Sequence, residues 1–257
     1  MKKKNMLALV LVLAVMAGCG AAAASAGETI LVAAAASLEK ALTQELIPMF
    51  EAAHPGVHVE GAYDSSGKLQ VQIEEGLEAD VFLSAAMKQM DALEAQGLVE
   101  ADSVALLLEN RLVLIAPVDS DTEIDSFARI VEAESIAMGD PESVPAGQYA
   151  REAFTSLGVY EEVVGKASLG GNVTEVLHWV AEGSAEVGVV YATDAMQLPE
   201  RVRVLCEVPE GSLAQKVTYP AGIIANSPHQ DAARAFVAFL QSEEAAAVFE
   251  SYGFSRP

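Results

Sequence analysis

The amino-acid sequence predicts an α/β fold, because strand-like and helix-like segments alternate along the chain. Short runs rich in Val, Ile and Leu recur, and most are followed by apolar residues at helical spacing. This alternation is typical of mostly parallel sheets that helices cover on both faces. No period of 20–50 residues repeats. The roughly 230 residues that follow the N-terminal segment suffice for one large domain or two lobes of ~100 residues each.

The first half of the chain opens with a strand at residues 29–35, a continuous apolar run that begins with β-branched side chains. Ser37 then opens an amphipathic helix that ends at Pro55. The next expected elements are a strand at 57–63, a helix at 67–76, a strand at 80–84, a helix at 85–96 and a strand at 112–116.

The second half repeats this alternation. We expect strands at 135–138, 163–169, 186–191, 202–208 and 217–225. Helices are expected after residues 145–147, at 173–181, at 230–241 and at 243–252. Asn172 is expected to cap the helix at 173–181, with Glu175 three residues further on.

The N-terminus has the order of a secretory signal peptide. Three Lys residues precede the apolar run 6–16, which is too short to span a bilayer permanently. Met16-Ala17-Gly18-Cys19 resembles a lipobox at the end of a signal peptide of residues 1–19, which predicts removal of the preceding peptide, acylation of Cys19 and anchoring at the outer face of the membrane. An ordinary signal peptide cut near residues 21–26 is the alternative. Residues 20–28, rich in Ala, Ser and Gly, are expected to form a tether.

Charge and cysteine content exclude several classes of partner. Loss of residues 1–19 removes three Lys and no acid, and takes the formal charge from −22 to −25. A chain this acidic repels the phosphate backbone of nucleic acids. Any anion site must therefore be local and built from dipoles. Cys206 is the only cysteine after Cys19, so a cysteine-based metal site is excluded.

Several expected strand-to-helix junctions share small, hydroxylated and uncharged residues. The junctions contain Ser37, Ser66, Ala146, Val173 and Tyr191. The N-termini of helices offer unpaired N–H groups and a partial positive charge, so they can bind an anion without Lys or Arg. Ser and Tyr hydroxyls add rotatable donors. Each feature alone is weak, because Ser37 could be only an N-cap and Tyr191 only a core residue.

The order of these junctions resembles the molybdate-binding proteins of ABC importers. The resemblance extends from Thr29 to Phe254, and the matching segments are Ala34-Ala35-Ala36-Ser37-Leu38, Asp64-Ser65-Ser66-Gly67, Gly139-Asp140-Pro141-Glu142, Pro145-Ala146-Gly147 and Val190-Tyr191-Ala192-Thr193-Asp194. The block from Gly139 to Gly147 is the most specific part. Two departures are Thr174-Glu175, where the family often has a basic residue, and Glu78, where proline is common.

The resemblance implies a two-lobe periplasmic-binding-protein fold of type II, with the ligand in the cleft. Lobe 1 would comprise residues 29–114 and 218–257, and lobe 2 residues 115–217. The implied function is capture of molybdate or tungstate by a monomer, without a cofactor, and delivery to a membrane permease. The hydroxyls of Ser37, Ser66 and Tyr191 and the backbone N–H groups near Ser37, Ser66, Ala146 and Val173 would bind the oxyanion.

Other ligands and classes stay open at this point. Sulfate is also a bare dianion, whereas phosphate keeps a proton that needs an acceptor. Asp64, Asp140 and Asp194 could accept that proton, although we expect them to cap turns and helices. A secreted serine hydrolase using Ser37 or Ser66 would lack a Gly-x-Ser-x-Gly motif. The four His residues lack metal-ligand spacing, so we expect no protein-ligated metal.

Overall fold

A computed structural model describes residues 27–257. The expected signal peptide, Cys19 and most of the tether lie outside the described residues. The first strand begins at Glu28, so the end of the expected tether is already part of a sheet. Among the helices of residues 27–257, none has both the length and the apolar character that crossing a bilayer requires.

The described chain forms two five-stranded sheets. The first sheet has the strand order β2-β1-β3-β10-β4 and the second the order β7-β6-β8-β5-β9. The strands of the first sheet are β1 (Glu28–Ala35), β2 (Val57–Asp64), β3 (Val81–Leu83), β4 (Ala105–Asn110) and β10 (Val217–Ile223). Those of the second are β5 (Leu112–Pro117), β6 (Ile136–Gly139), β7 (Ala167–Gly170), β8 (Val187–Tyr191) and β9 (Val202–Glu207).

Helices lie between most of the strands and cover both sheets. They are α1 (Glu39–Ala41), α2 (Ile47–Ala53), α3 (Ser66–Glu74), α4 (Met87–Ala95), α5 (Pro145–Ser156), α6 (Tyr160–Val164), α7 (Val173–Ala181), α8 (Ala192–Ala195), α9 (Gln230–Leu240) and α10 (Glu243–Ser251). The predicted α/β class is therefore confirmed, as are both C-terminal helices. Phe50 of α2 and Phe236 of α9 pack edge to face at 5.0 Å in the core.

The mostly parallel sheets expected from the sequence are found, although each sheet is mixed because one of its five strands, β10 or β5, runs against the other four. In the first sheet β1 runs parallel to β2 and β3, whereas β10 runs antiparallel to β3 and β4. The second sheet has the same pattern of strand directions: β6 runs parallel to β7 and β8, whereas β5 runs antiparallel to β8 and β9. Parallel neighbours need a crossover connection within one lobe. The antiparallel pairs β10–β4 and β5–β9 are instead formed by the strands through which the chain passes between the two sheets.

The chain passes from the first sheet to the second at Arg111, between β4 and β5, and returns to the first sheet between β9 and β10. The expected boundary after residue 114 falls inside β5, all of whose partners belong to the second sheet. Strand β4 was not predicted, since its Leu-rich sequence lacks the β-branched residues that favour a strand.

Two local expectations also differ from the structure. The strand expected at 163–169 is divided into α6 and β7, because Gly165 ends a helical turn that buries Val163. The helix expected to open at Ser37 starts as a 3₁₀ turn, Ala36–Leu38, capped by Ala35. It continues through α1, a π-helical turn at Leu42–Leu46, and α2.

Candidate functional site

The register of the first sheet brings two candidate serines to the same edge. Strand β1 pairs with β2 so that Ala35 lies opposite Asp64, the last residue of each strand. The chain after β1 turns into the 3₁₀ turn that contains Ser37, and the chain after β2 enters α3 at Ser66. Both hydroxyls therefore lie at the carboxyl edge of the sheet, where open α/β sheets bind ligands.

The second sheet presents two helix N-termini at its corresponding edge. Gly139 at the end of β6 pairs with Gly170 at the end of β7. Ala146 is the second residue of α5, and Val173 is the first residue of α7. Backbone N–H groups in a first helical turn have no acceptor within the helix, and the helix dipole adds a partial positive charge there.

Hydrogen bonds fix the N-terminus of α7. The Asn172 side chain accepts the Glu175 N–H at 2.9 Å, as the sequence predicts. The Glu175 carboxylate accepts the Gly171 N–H at 2.6 Å. Together these bonds provide acceptors for two backbone N–H groups around the start of α7.

Close packing fixes the N-terminus of α5, which explains the sequence Pro145-Ala146-Gly147. A Cβ atom on Gly147 would lie 2.0 Å from the Gly139 carbonyl oxygen, which is an impossible contact. Glycine therefore lets α5 approach the end of β6. Pro145 occupies the first helical position, where its missing N–H leaves no acceptor unpaired.

All five candidate residues line one small cavity between the two sheets. Its lining consists of Ala35, Ala36, Ser37, Asp64, Ser65, Ser66, Ala85, Val144, Pro145, Ala146, Val173 and Tyr191. Asp64 is the only charged residue among them, and the lining described here contains no Lys or Arg. The cavity is therefore built from hydroxyls, backbone groups and small apolar side chains.

The three candidate hydroxyls have different partners within the protein. Ser66 Oγ accepts the Ala85 N–H at 2.9 Å. Ser37 Oγ lies 3.0 Å from Tyr219 Oη. The Tyr191 hydroxyl is buried next to Tyr219 and makes no hydrogen bond of standard geometry among the described residues. An unpaired buried hydroxyl is costly, so its position on a cavity wall favours a role in binding.

Burial controls the ionisation of the groups beside this cavity. It raises the pKa values of Tyr191 and Tyr219 well above the usual value, so both hydroxyls keep their protons. Burial also raises the pKa of Asp194 to about 7, although the Tyr191 N–H and the Lys40 charge oppose this shift. The site is therefore rich in protonated oxygen donors.

Three aspartates cap turns, as the sequence predicts. Asp64 accepts the Ser65 N–H at 2.7 Å, Asp140 the Glu142 N–H at 2.9 Å, and Asp194 the Tyr191 N–H at 3.0 Å. Asp64 also pairs with Lys68 at 3.2 Å. Each carboxylate thus has a structural role within its own junction.

The two lobes meet across the cavity. The Gly67 N–H donates to the Ser143 carbonyl oxygen at 2.9 Å, and Gln89 donates to Gln148 at 3.1 Å. Gly67 and Gln89 follow strands of the first sheet, whereas Ser143 and Gln148 follow a strand of the second. The structure is consequently a closed arrangement of the lobes.

A larger cavity, of about 400 Å³, lies at the opposite end of β1, beside Thr29 and Asp80. Asp80 is already occupied there, because it accepts the Leu31 N–H at 2.6 Å and the Ser227 hydroxyl at 2.5 Å. That cavity contains none of the five candidate residues.

The histidines lie elsewhere. His58 pairs with Glu51 at 2.7 Å, His229 with Glu28 at 2.9 Å, and His54 stacks on Phe50 at 4.2 Å. No His lines the cavity, and Ser37 and Ser66 have other partners. Within residues 27–257, no three His, Cys, Asp or Glu side chains are grouped as a metal site requires.

Sequence reasoning missed three residues of this region. Ser65 lines the cavity, and its buried hydroxyl has no partner in the described chain. Tyr219 and Asn110 lie directly behind Ser37, in strands that the alternation of apolar residues does not link to the junctions. The only sequence signal for them is a polar residue within or beside an apolar run.

A family model for bacterial extracellular solute-binding proteins matches residues 30–255 of this chain. The chain belongs to this family. A Bacillus subtilis protein named as an ABC transporter substrate-binding lipoprotein, YvgL, is 38% identical over 88% of this chain and 86% of its own length. The molybdate-binding protein ModA of Escherichia coli is 37% identical over 88% of both chains.

Comparison with solved structures gives the same fold at lower identity. The sulfate-binding protein SubI of Mycobacterium tuberculosis has a TM-score of 0.78 and 19% identity, over 89% of this chain and 87% of its own. The two-lobe α/β fold expected from the resemblance is therefore confirmed. This solute-binding protein is a substrate-binding component of the ABC-transporter type and not an enzyme, so the serine hydrolase alternative is wrong.

Gly67 gives a test of closure in this solute-binding protein. A Cβ atom there would lie 2.3 Å from the Ser143 carbonyl oxygen across the cleft. We expect Gly67→Ala to hold the lobes apart and raise the radius of gyration in small-angle X-ray scattering, with little change in melting temperature. Gly165→Ala is the control, because its nearest atoms would lie at 3.5 Å. Identical scattering from the two variants would contradict the closed contact.

Asp194 makes stability depend on pH. Its pKa is about 7 in the folded chain, against an ordinary value of 3.8 for an exposed Asp, so the folded state holds more protons between these values. Stability should fall as pH rises through about 4 to 7 and level off above that range. Urea unfolding at pH 5, 6.5 and 8 should show a smaller fall for Asp194→Asn than for the unmodified chain. Asp102→Asn, at an exposed position, should behave like the unmodified chain; parallel curves for Asp194→Asn would refute the assignment.

Proposed function

We propose that this solute-binding protein captures molybdate or tungstate and delivers it to the permease of an ABC importer. One observation carries the proposal: neutral donors from both lobes converge on one closed cavity whose described lining contains no cation. The hydroxyls of Ser37, Ser66 and Tyr191 are the proposed side-chain donors. Backbone N–H groups at Ser37, Ser66, Ala146 and Val173 complete the set.

The chemistry of these donors suits a bare tetrahedral dianion. Each N–H or O–H bond to an ionised oxygen contributes roughly 1.5–3 kcal/mol, so several such bonds offset the loss of hydration. The acidic surface, with a formal charge of −22 for the whole chain, repels anions at long range. Recognition must therefore come from short-range hydrogen bonds inside the cavity.

Relatives support molybdate, and sulfate is the alternative. Escherichia coli ModA, named as molybdate-binding, is 37% identical to this chain. SubI, named as sulfate-binding, shares the fold at 19% identity. Sulfate offers the same charge and geometry on a smaller ion, so the choice between the two depends on cavity size when the ligand is bound.

Calorimetry against molybdate, tungstate, sulfate and phosphate tests the proposal. We expect tight binding of the first two and weaker binding of the others. Tyr191→Phe and Ser66→Ala should each weaken molybdate binding roughly 10- to 100-fold, because each removes one charge-assisted hydrogen bond. Absence of heat with all four anions would refute the proposed function.

Matched variants separate the site from general effects. Tyr160→Phe in α6 and Ser251→Ala in α10 remove the same groups at positions outside the cavity lining. Both should bind molybdate like the unmodified chain. If Tyr191→Phe and Ser66→Ala also bind normally while melting at the usual temperature, the site assignment is wrong.

We also propose that the chain is a monomer held at the outer face of the membrane through acylated Cys19. The name of YvgL as a lipoprotein supports the anchor. Two or more acyl chains are needed for stable anchoring. The mature protein should partition into detergent and show the mass of a diacylglyceryl group on Cys19. Cys19→Ser should be released into the medium, and an unmodified Cys19 in the mature chain would refute the anchor.

A further inference from the structure

Four polar side chains form a buried chain of hydrogen bonds behind Ser37. Tyr219 Oη lies 3.0 Å from Ser37 Oγ and 3.2 Å from Asn110 Nδ2, which also lies 2.9 Å from Thr193 Oγ1. All four residues are at least nine-tenths buried. Asn110 ends β4 and Thr193 belongs to α8, so the chain of bonds joins the two lobes beside the crossing at Arg111.

A backbone group sets the direction of these bonds. The Arg111 N–H, which can only donate, bonds to Asn110 Oδ1 at 2.8 Å. The other end of the amide must then be Nδ2, which has two protons and no acceptor site. Asn110 therefore donates one proton to Tyr219 and the other to Thr193.

The direction continues from Tyr219 to Ser37. The Tyr219 hydroxyl has two hydrogen-bond partners of standard geometry in the described chain, Asn110 and Ser37, and because it accepts from Asn110 its single proton is free to bond to Ser37 Oγ. Burial keeps the pKa of Tyr219 well above its usual value, so the proton stays on the phenol. With Asn110 donating on one side, Tyr219 can donate to Ser37 on the other, which leaves the Ser37 proton free for the cavity.

The other two candidate hydroxyls can also donate a hydrogen bond into the cavity. Ser66 Oγ accepts the backbone N–H of Ala85, so its own proton is also free for the cavity. The Tyr191 hydroxyl makes no hydrogen bond of standard geometry among the described residues. Three hydroxyl protons are thereby available to a ligand, whereas the Ser37 and Ser66 oxygens are already occupied as acceptors.

A site whose hydroxyls all donate distinguishes deprotonated ligands from protonated ones. A fully deprotonated oxyanion accepts from all three hydroxyls. A ligand that keeps a proton needs an acceptor, and a buried donor without one is penalised. Asp64 Oδ1 already receives the Ser65 N–H and Lys68, so Asp64 Oδ2 and the Ser65 hydroxyl are the side-chain acceptors left in the described lining. Orienting Ser37 as a donor keeps a further acceptor from a protonated ligand.

We propose that Tyr219 and Asn110 are specificity-determining positioning residues, which orient Ser37 as a donor and so favour fully deprotonated tetrahedral oxyanions over protonated ones. The proposal rests on the proposed function of the cavity and deepens it. Neither residue lines the cavity, so each acts through Ser37.

A double-mutant cycle tests this proposal. Tyr219→Phe, Ser37→Ala and the double variant are titrated with molybdate, and phosphate affinity is measured by competition at neutral pH. Tyr219→Phe should lower molybdate affinity about tenfold and reduce the preference for molybdate over phosphate about fivefold or more. In the Ser37→Ala background, Tyr219→Phe should change molybdate affinity by less than about twofold.

The controls separate orientation from simple loss of structure. Each variant is checked by thermal unfolding without ligand, and Tyr160→Phe should leave both affinities unchanged. If Tyr219→Phe does not fold, Asn110→Ala replaces it, because loss of the Asn110 donor also frees the Tyr219 proton to turn away from Ser37.

The outcomes distinguish this inference from the proposed function. Additive effects of Tyr219→Phe and Ser37→Ala, or equal losses for molybdate and phosphate, would overturn the positioning role while molybdate binding by the unmodified chain still stands. If the unmodified chain binds none of the oxyanions, the proposed function fails and the inference fails with it. Non-additive effects with a reduced preference would support the inference.

Discussion

The structure depends on the need to provide partners for polar groups at the ends of helices. Four N–H groups at each helix start lack intrahelical acceptors, and burying them without partners is costly. Here the N-termini of α3, α5 and α7 face one cavity between the lobes. In the proposed complex an anion satisfies several of these donors at once, so the feature that would destabilise a solid core becomes the means of binding.

Close backbone contacts make this convergence possible. Gly147 lets α5 approach β6 within one lobe, and Gly67 lets α3 approach Ser143 across the cleft. Any side chain at either position would separate the groups that form the cavity. The role of the two glycines is therefore to permit close packing, and the neighbouring residues supply the hydrogen-bond donors.

The protein is strongly acidic overall, whereas the described lining of the cavity is almost free of charged side chains. The whole chain has 37 acidic and 15 basic residues, yet the described lining of the cavity has one carboxylate and no basic side chain. Dipoles and hydroxyls act over short distances, so they are compatible with an acidic exterior. A site built from Lys or Arg would depend on long-range attraction, which this surface opposes.

By itself the sequence determined the α/β class, most helices, and the junctions with Ser37, Ser66, Ala146, Val173 and Tyr191, because apolar spacing and helix-capping residues are local signals. Tertiary structure alone decided that β10 runs antiparallel to β3 and β4 and that the chain passes from one sheet to the other at Arg111, since strand pairing joins residues far apart in the chain. It also decided which groups lie behind the site. Tyr219 is 182 residues from Ser37 in sequence, and only folding brings their oxygens within 3.0 Å.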